Sequence, residues 1–215
     1  TEDEVYSAVT NFYGRSGTDI IEMSSEKVTG RFVVEHDFND STMAYGSYTR
    51  GFKPGGSNLT YGLESTVAPV VVLPTFDEEI VDAYEVGLKT DLVDGRVRLN
   101  TAAFYYNYEG LQYQATDPEV FQGGVGNIPK SEIFGAELEL SAFLSESLIL
   151  DVRLAWLDTE ITADHLALDN VQSEAAGGAL IGNGAALFSP EVQQARSSAV
   201  QNVNGNELAK TPKFT

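Results

Sequence analysis

The chain contains no cysteine. That excludes disulfides, thiol catalysis and cysteine-ligated metal. Basic residues are scarce: 13 Lys and Arg stand against 32 Asp and Glu, for a formal charge of −19. Such a chain is unsuited to gripping nucleic acid by its phosphates, so no nucleic-acid partner is expected, whereas a secreted or cell-surface setting suits it. Long apolar runs are missing as well. The longest, Val67 to Leu73, contains Pro69 and falls far short of the ~20 residues a membrane helix needs. There is no initiating methionine and no basic-then-apolar leader, so the chain reads as an internal fragment or a processed chain. Disorder throughout is excluded by an ordinary apolar content of 42%. At 215 residues the chain makes one large β domain or two small ones.

What is present is alternation. Between Asp82 and Leu92, Tyr84, Val86, Leu88, Thr90 and Leu92 share one parity, and Ala83, Glu85, Gly87, Lys89 and Asp91 the other. Period two is the mark of a strand with one apolar and one polar face. Val93-Asp94-Gly95-Arg96 supplies turn chemistry, since Asp-Gly tolerates positive φ. A second strand follows, with Val97, Leu99, Thr101, Ala103 and Tyr105 on one face and Arg98 and Asn100 on the other; it ends in the aromatics Phe104 to Tyr108.

The same pattern predicts strands over 27–38 and 42–52, the latter blurred because Arg50 shares parity with Tyr48 and Phe52. It returns over 131–143 and 148–159, where Phe134, Ala136, Leu138 and Leu140 oppose Gly135, Glu137 and Glu139. A short strand is expected within 5–13 and a loop over 14–25. Short turns at 39–41, 93–96 and 145–147 alternate with long connections at 53–80, 114–130 and 160–209. In the last of these, Ser189-Pro190-Glu191 predicts a short helix through Val200, with Ser as N-cap and Pro at the first helical position. Residues 210–215 read as the opening of another strand.

Two kinds of architecture give strands one apolar face. In a soluble sandwich that face packs inward. In a transmembrane barrel it meets lipid while the polar face lines a lumen, and long strands, short periplasmic turns, long outer loops and aromatic girdles accompany it. The predicted strands are longer than the usual five or six residues and match the ~9–11 that cross a bilayer.

Four stretches resemble TonB-dependent outer-membrane receptors: AYGSYTRGFKPGG (44–56), VDAYEVGLKTDLVDGRVRLNTAAFYYNYEGLQ (81–112), EIFGAELELSAFLSESLILDVRLAWLDTEI (132–161) and GNELAKTPKFT (205–215). The resemblance implies an all-β fold, with 1–215 forming about six to eight antiparallel strands of a larger transmembrane barrel in the bacterial outer membrane. It implies energy-coupled uptake of a scarce small-molecule ligand, a metal chelate such as a ferric siderophore, haem or cobalamin. The partners implied are outer-membrane lipid and a TonB complex reached through a plug domain. This chain contains neither the plug, nor an energy-coupling box, nor the terminal strands. A passive channel and a soluble or surface β-rich adhesion module are the alternatives.

Candidate sites are few. Arg50 and Lys53 sit where a strand enters a long loop, and either an anionic ligand or lipid head groups would suit them. Tyr61 and other loop aromatics suit a planar ligand. Asp77, Glu78, Glu79 and Asp82 suggest calcium, but lack EF-hand spacing and read as a solvated loop end. His36 and His165 are the only histidines, and neither has a partner at metal-ligand spacing. The glycine stretches 123–127 and 177–184 lack the strand–turn–helix setting of a phosphate cradle. Asn39-Asp40-Ser41 and Asn58-Leu59-Thr60 match the glycosylation sequon and read as turn residues. Glu137 and Glu139 have no nucleophile or oxyanion donor near them, so no enzyme, cofactor or metal site is expected.

Overall fold

The structure, a computed structural model, describes residues 2–10, 16–24, 26–58, 75–116, 123–187 and 189–215, with side chains from residue 26 onward. Strands β1 (Glu2–Thr10) and β2 (Ser16–Ser24) form an antiparallel hairpin. The main sheet has six strands: β3 (Gly30–Asn39), β4 (Thr42–Lys53), β7 (Glu79–Leu92), β8 (Val97–Thr116), β9 (Gly123–Ser145) and β10 (Leu148–Ile161). They pair as antiparallel neighbours in sequence order, and the sheet is open. Between β4 and β7 lie the two-residue strands β5 (Gly56–Ser57) and β6 (Thr75–Phe76), paired with each other.

The turns at one end follow from their residues. Asn39 Oδ1 accepts from the Ser41 amide at 2.9 Å and its hydroxyl at 2.8 Å, closing the β3–β4 turn on a side chain. In the β7–β8 turn Val93, Asp94 and Gly95 all take positive φ, at 55°, 53° and 81°. Gly and Asp tolerate that region; branched Val93 is strained there.

Register aligns the parity of each strand into rows across the sheet. Phe32, Tyr48, Tyr84, Tyr105 and Phe134 lie opposite one another in one row. Nearer the short turns follow the rows Val34–Gly46–Val86–Ala103–Ala136–Trp156 and His36–Ala44–Leu88–Thr101–Leu138–Leu154. In β10 that first row ends on Asp158, opposite Phe134; from the next row to the turns this face carries no Asp, Glu, Lys or Arg on the six strands. Tyr84 to Leu92 is about 27 Å of strand at 3.3–3.4 Å per residue. With a tilt of ~35–45° that is the scale of the ~25 Å apolar band of a transmembrane barrel.

This face is bare. Val86 is 62% exposed, Leu154 57% and Tyr84 50%. A sandwich would hide these side chains beneath a second sheet. Among the described residues the buried hydrophobics are instead scattered, as at Ile80, Phe104, Ala142 and Ile161. Lipid is the medium that makes such a face stable, and on the strands paired at both edges the backbone groups are satisfied by the ladder itself.

Three expectations need correction. The connection at 114–130 is largely strand: β8 runs on to Thr116 and β9 starts at Gly123, paired through Thr116–Gly123. Glycine and polar residues hide the alternation there, but the backbone ladder does not depend on it. Most of 14–25, expected as loop, is β2. The segment after β10 holds more than one helix. It contains β11 (Leu166–Leu168), α1 (Asn170–Gly182), α2 (Pro190–Ser197) and β12 (Val200–Asn202), with β11 paired to β12. The expected cap is present, since Ser189 Oγ accepts from the Val192 amide at 3.4 Å. At the chain's end Phe214 bridges Trp156, and Ala155 and Thr215 exchange backbone hydrogen bonds of 2.9 and 3.0 Å, as a further strand on β10.

Candidate functional site: the lumen-facing mouth

The opposite face gathers the charges of the wall. Arg98 forms a forked pair with Asp91 at 2.8 and 3.3 Å, and Arg153 reaches Glu139 at 3.7 Å. Ser141 donates to Asp151 at 2.5 Å, and Lys89 lies 5.5 Å from the centre of the Tyr45 ring. These exposed pairs contribute little stability each. Their importance is the polar, water-compatible lining they give the lumen.

Toward the long loops the lining becomes aromatic. Phe104 and Tyr106 stack with centroids 4.8 Å apart, and Tyr108 follows on the same face of β8. Two glycines make room for rings. A Cβ on Gly135 would stand 2.3 Å from the Phe104 ring and 2.8 Å from Leu157. A Cβ on Gly87 would stand 2.3 Å from the Tyr45 ring, whose hydroxyl donates to Glu85 at 2.6 Å. The aromatic wall is therefore laid flat along the sheet rather than left to swing in the lumen.

Polar side chains fix the loops above it. Asn127 accepts from the Asp77 amide at 2.7 Å and donates to the Asp77 carbonyl at 2.9 Å and the Gly110 carbonyl at 2.7 Å. Asn58 pairs in both directions with the Val125 backbone, 2.8 Å each way. Gln112 donates to the carbonyls of Pro54 and Asp77 at 2.9 and 3.0 Å, and its amide donates to Glu79 at 2.8 Å. Each amide side chain acts as a substitute peptide, so the loop ends are tied to the long β8–β9 ribbon. On the other side of that ribbon, Tyr113, Leu168 and Val200 pack on buried Ala115, and the Tyr113 hydroxyl lies 2.9 Å from His165 Nε2. Burial pushes the Tyr113 hydroxyl up to about 12 and lowers the His165 imidazole. Asn202 and Asn204 donate to Asp164 and hold its carboxyl below the ordinary range.

The expected site residues do not form one cluster. Lys53 lies on the lumen-facing side, opposite Glu79 at the mouth. Arg50 lies on the lipid-facing side, one row beyond Tyr48, 3.6 Å from Asp82. Tyr61 lies outside the described residues. The four acidic residues at 77–82 are drawn apart: Glu78 pairs with Lys27 at 2.5 Å, Glu79 takes the Gln112 amide, and Asp82 takes the Tyr48 hydroxyl at 2.6 Å. His36 stands on the lipid-facing side against Phe38, centroids 4.8 Å apart. The 123–127 glycines belong to β9 and Gly177 to α1. Tyr106, Tyr108 and Asn127 were missed. Counting parity through Phe104 to Tyr108 would have separated the two tyrosines; nothing in the sequence marks Asn127.

The chain matches the family described as TonB dependent receptor-like, beta-barrel, over residues 4–215. It is 26% identical over 151 residues to the metal-pseudopaline receptor CntO of Pseudomonas aeruginosa, covering 70% of this chain and 19% of that protein. The chain thus spans about a fifth of the curated relatives it matches. Its fold is similar to that of the siderophore receptor PiuA from Acinetobacter baumannii, with a TM-score of 0.58, 18% identity, and coverage of 96% of this chain and 25% of that one. It is also similar to the ferric yersiniabactin uptake receptor FyuA from Yersinia pestis, with a TM-score of 0.51, 23% identity, and coverage of 68% and 21%. With a two-faced wall, short turns at one end and long loops at the other, the chain belongs to the TonB-dependent receptor-like β-barrel family.

Proposed function

We propose that the chain is part of the barrel wall of a receptor for energy-coupled uptake of a scarce metal chelate such as a ferric siderophore. The wall is a segment of a bacterial outer-membrane β-barrel, and its family comprises receptors and transporters rather than enzymes. The observation that carries the reading is the aromatic lining at the mouth, Phe104, Tyr106 and Tyr108, beneath loops tied down by Asn127 and Gln112. Flat rings and a nearby cation, Lys53, suit a planar, partly anionic chelate. The names of two similar proteins carry metal-bearing cargo, metal-pseudopaline and ferric yersiniabactin. Tyr61 joins the ligand contacts from the loop, while Arg50 serves the lipid side. Energy coupling requires a plug domain in the whole protein and a separate TonB complex as its partner.

The test is whole-cell uptake of radiolabelled metal with a panel of chelators, in cells carrying the full-length receptor. Uptake should require both the receptor and an intact TonB complex, and Tyr106→Ala with Lys53→Ala should reduce it. Uptake that persists without the TonB complex would make the barrel a passive channel.

A further inference from the structure

The wall supports β8 and β9 only up to one row. The last pair between β7 and β8 is Ile80–Glu109. On the other edge β10 leaves β9 at Ile161–Ser131, and the Thr162 amide donates to the Lys130 carbonyl at 3.0 Å. Beyond that row β8 and β9 run on as a two-stranded ribbon, from Leu111–Ile128 to Thr116–Gly123. Between wall and ribbon the ladder misses a rung: pairing passes from Glu109–Lys130 to Leu111–Ile128 and skips Gly110 and Pro129. Pro129 has no N–H to give. Gly110 takes a φ of 67°, and its carbonyl accepts from the Asn127 side chain at 2.7 Å. An amide side chain thus fills in for a missing backbone donor.

The ribbon is gripped on both faces. Gln112 and Asn127 lie opposite each other and hold the backbone of residues 54 and 77. Successive side chains point to alternate faces, so Tyr113 and Ala115 lie on the other one. There the Tyr113 hydroxyl meets His165, and Leu168 and Val200 pack at Ala115. Both gripping blocks are rooted in the wall below the skipped rung. The loop descends to the Lys53–Glu79 pair of β4 and β7. The module of β11 to β12 returns to Ile161, whose backbone exchanges hydrogen bonds of 2.8 and 2.9 Å with Gly205 and Asn206.

We infer that Gly110–Pro129 is a hinge and that the ribbon beyond it rocks between the two blocks, leaning toward the one that still holds when the other lets go. Bending at a skipped rung breaks no backbone bond of the ladder. Glycine supplies the dihedral freedom there, and a hinge needs only a few such positions. A two-stranded ribbon by itself is marginally stable, so its grips decide where it stands. Because they lie on opposite faces, they pull in opposite senses, and displacement of one block is passed to the other through the ribbon. This holds whatever the lumen carries.

The test uses the full-length receptor in nanodiscs, with spin labels on Gln114→Cys in the ribbon and Ser47→Cys in the wall, and distances from pulsed dipolar spectroscopy. Tyr113→Ala releases the module, and Asn127→Ala releases residue 77. The two should shift the mean distance by several ångström in opposite directions. Pro129→Ala, which restores an N–H at the skipped rung, should shrink both shifts. Should a released variant fail to assemble, hydrogen exchange of the wild-type receptor is read instead. Amides at 111–113 and 126–128 should open together, several-fold faster than those at 104–107 and 132–135. Shifts in the same direction, a distance that either release leaves unmoved, shifts untouched by Pro129→Ala, or one uniform exchange rate through 104–113 would overturn the hinge.

Discussion

Tyr105 and Tyr106 are neighbours in the chain and face different solvents. The Tyr105 ring lies 6.4 Å from Tyr84 on the lipid-facing side, while Tyr106 stacks on Phe104 in the lumen lining. One peptide bond separates a girdle residue from a lumen-lining one, so substitutions at adjacent positions should have unrelated effects.

Leu138 and Glu137 put this to the test of stability. Leu138→Arg places a charge in the apolar band and should cost about 2–4 kcal/mol near the midplane. Glu137→Arg stays in the polar lumen and should cost much less. Folding of the full-length protein into bilayers, followed by denaturant titration, compares them; equal costs would contradict the assignment of faces.

Gly87 is expected to be intolerant for a packing reason. Even a methyl there meets the Tyr45 ring at 2.3 Å. Gly87→Ala should cost about 1–3 kcal/mol, the usual range for overpacking. Adding Tyr45→Ala should recover much of that loss, and a double-mutant cycle in the same bilayer assay measures the coupling.

Asn127→Ala removes three hydrogen bonds, two that tie residue 77 to the β8–β9 ribbon and one to the Gly110 carbonyl within it. At about 0.5–1.5 kcal/mol each, the loss should show as local opening rather than global unfolding. Hydrogen exchange at 75–79 should accelerate while that at 84–92 stays slow. Uniform protection in the variant would show that other contacts hold the loop.

The His165 contact should loosen in acid. Burial depresses its folded pKa, so the unfolded segment binds more protons, and stability rises with pH through this window. The docking is therefore intact above the ordinary histidine value of ~6.5 and weakens as pH falls below it. Asp164, also depressed, adds a loss of the same sign at still lower pH, in the carboxylate range. Exchange at 162–168, corrected for intrinsic rate, should increase between neutral and mildly acidic pH. His165→Gln should flatten the first step.

How much of this was legible depended on how strictly a segment alternates. Tyr84 to Leu92 and Phe134 to Leu140 declare their faces by parity, and the sheet pairs them as expected. The run 123–127 does not, because Gly123, Gly124, Gly126 and Asn127 there serve a ladder held by backbone and amide side chains rather than by an apolar face. Arg50 and Lys53 illustrate the limit for sites. They are close in sequence and both cationic, yet three residues apart in a strand means opposite sides. Asn127 is invisible in sequence because its three partners come from residues 77 and 110, and only pairing brings those together.

The same period of two constrains how this wall can change length. Removing or adding one residue inside β7 would exchange the media of every side chain beyond the change, turning Glu85 or Lys89 into hydrocarbon and Val86 into water. Beyond Lys53 or Ile161 no such phase has to be kept. Insertions of any size are therefore free to accumulate at the mouth, whereas the strands admit changes only in even steps, which lets a barrel of this kind remodel its loops without renegotiating its membrane.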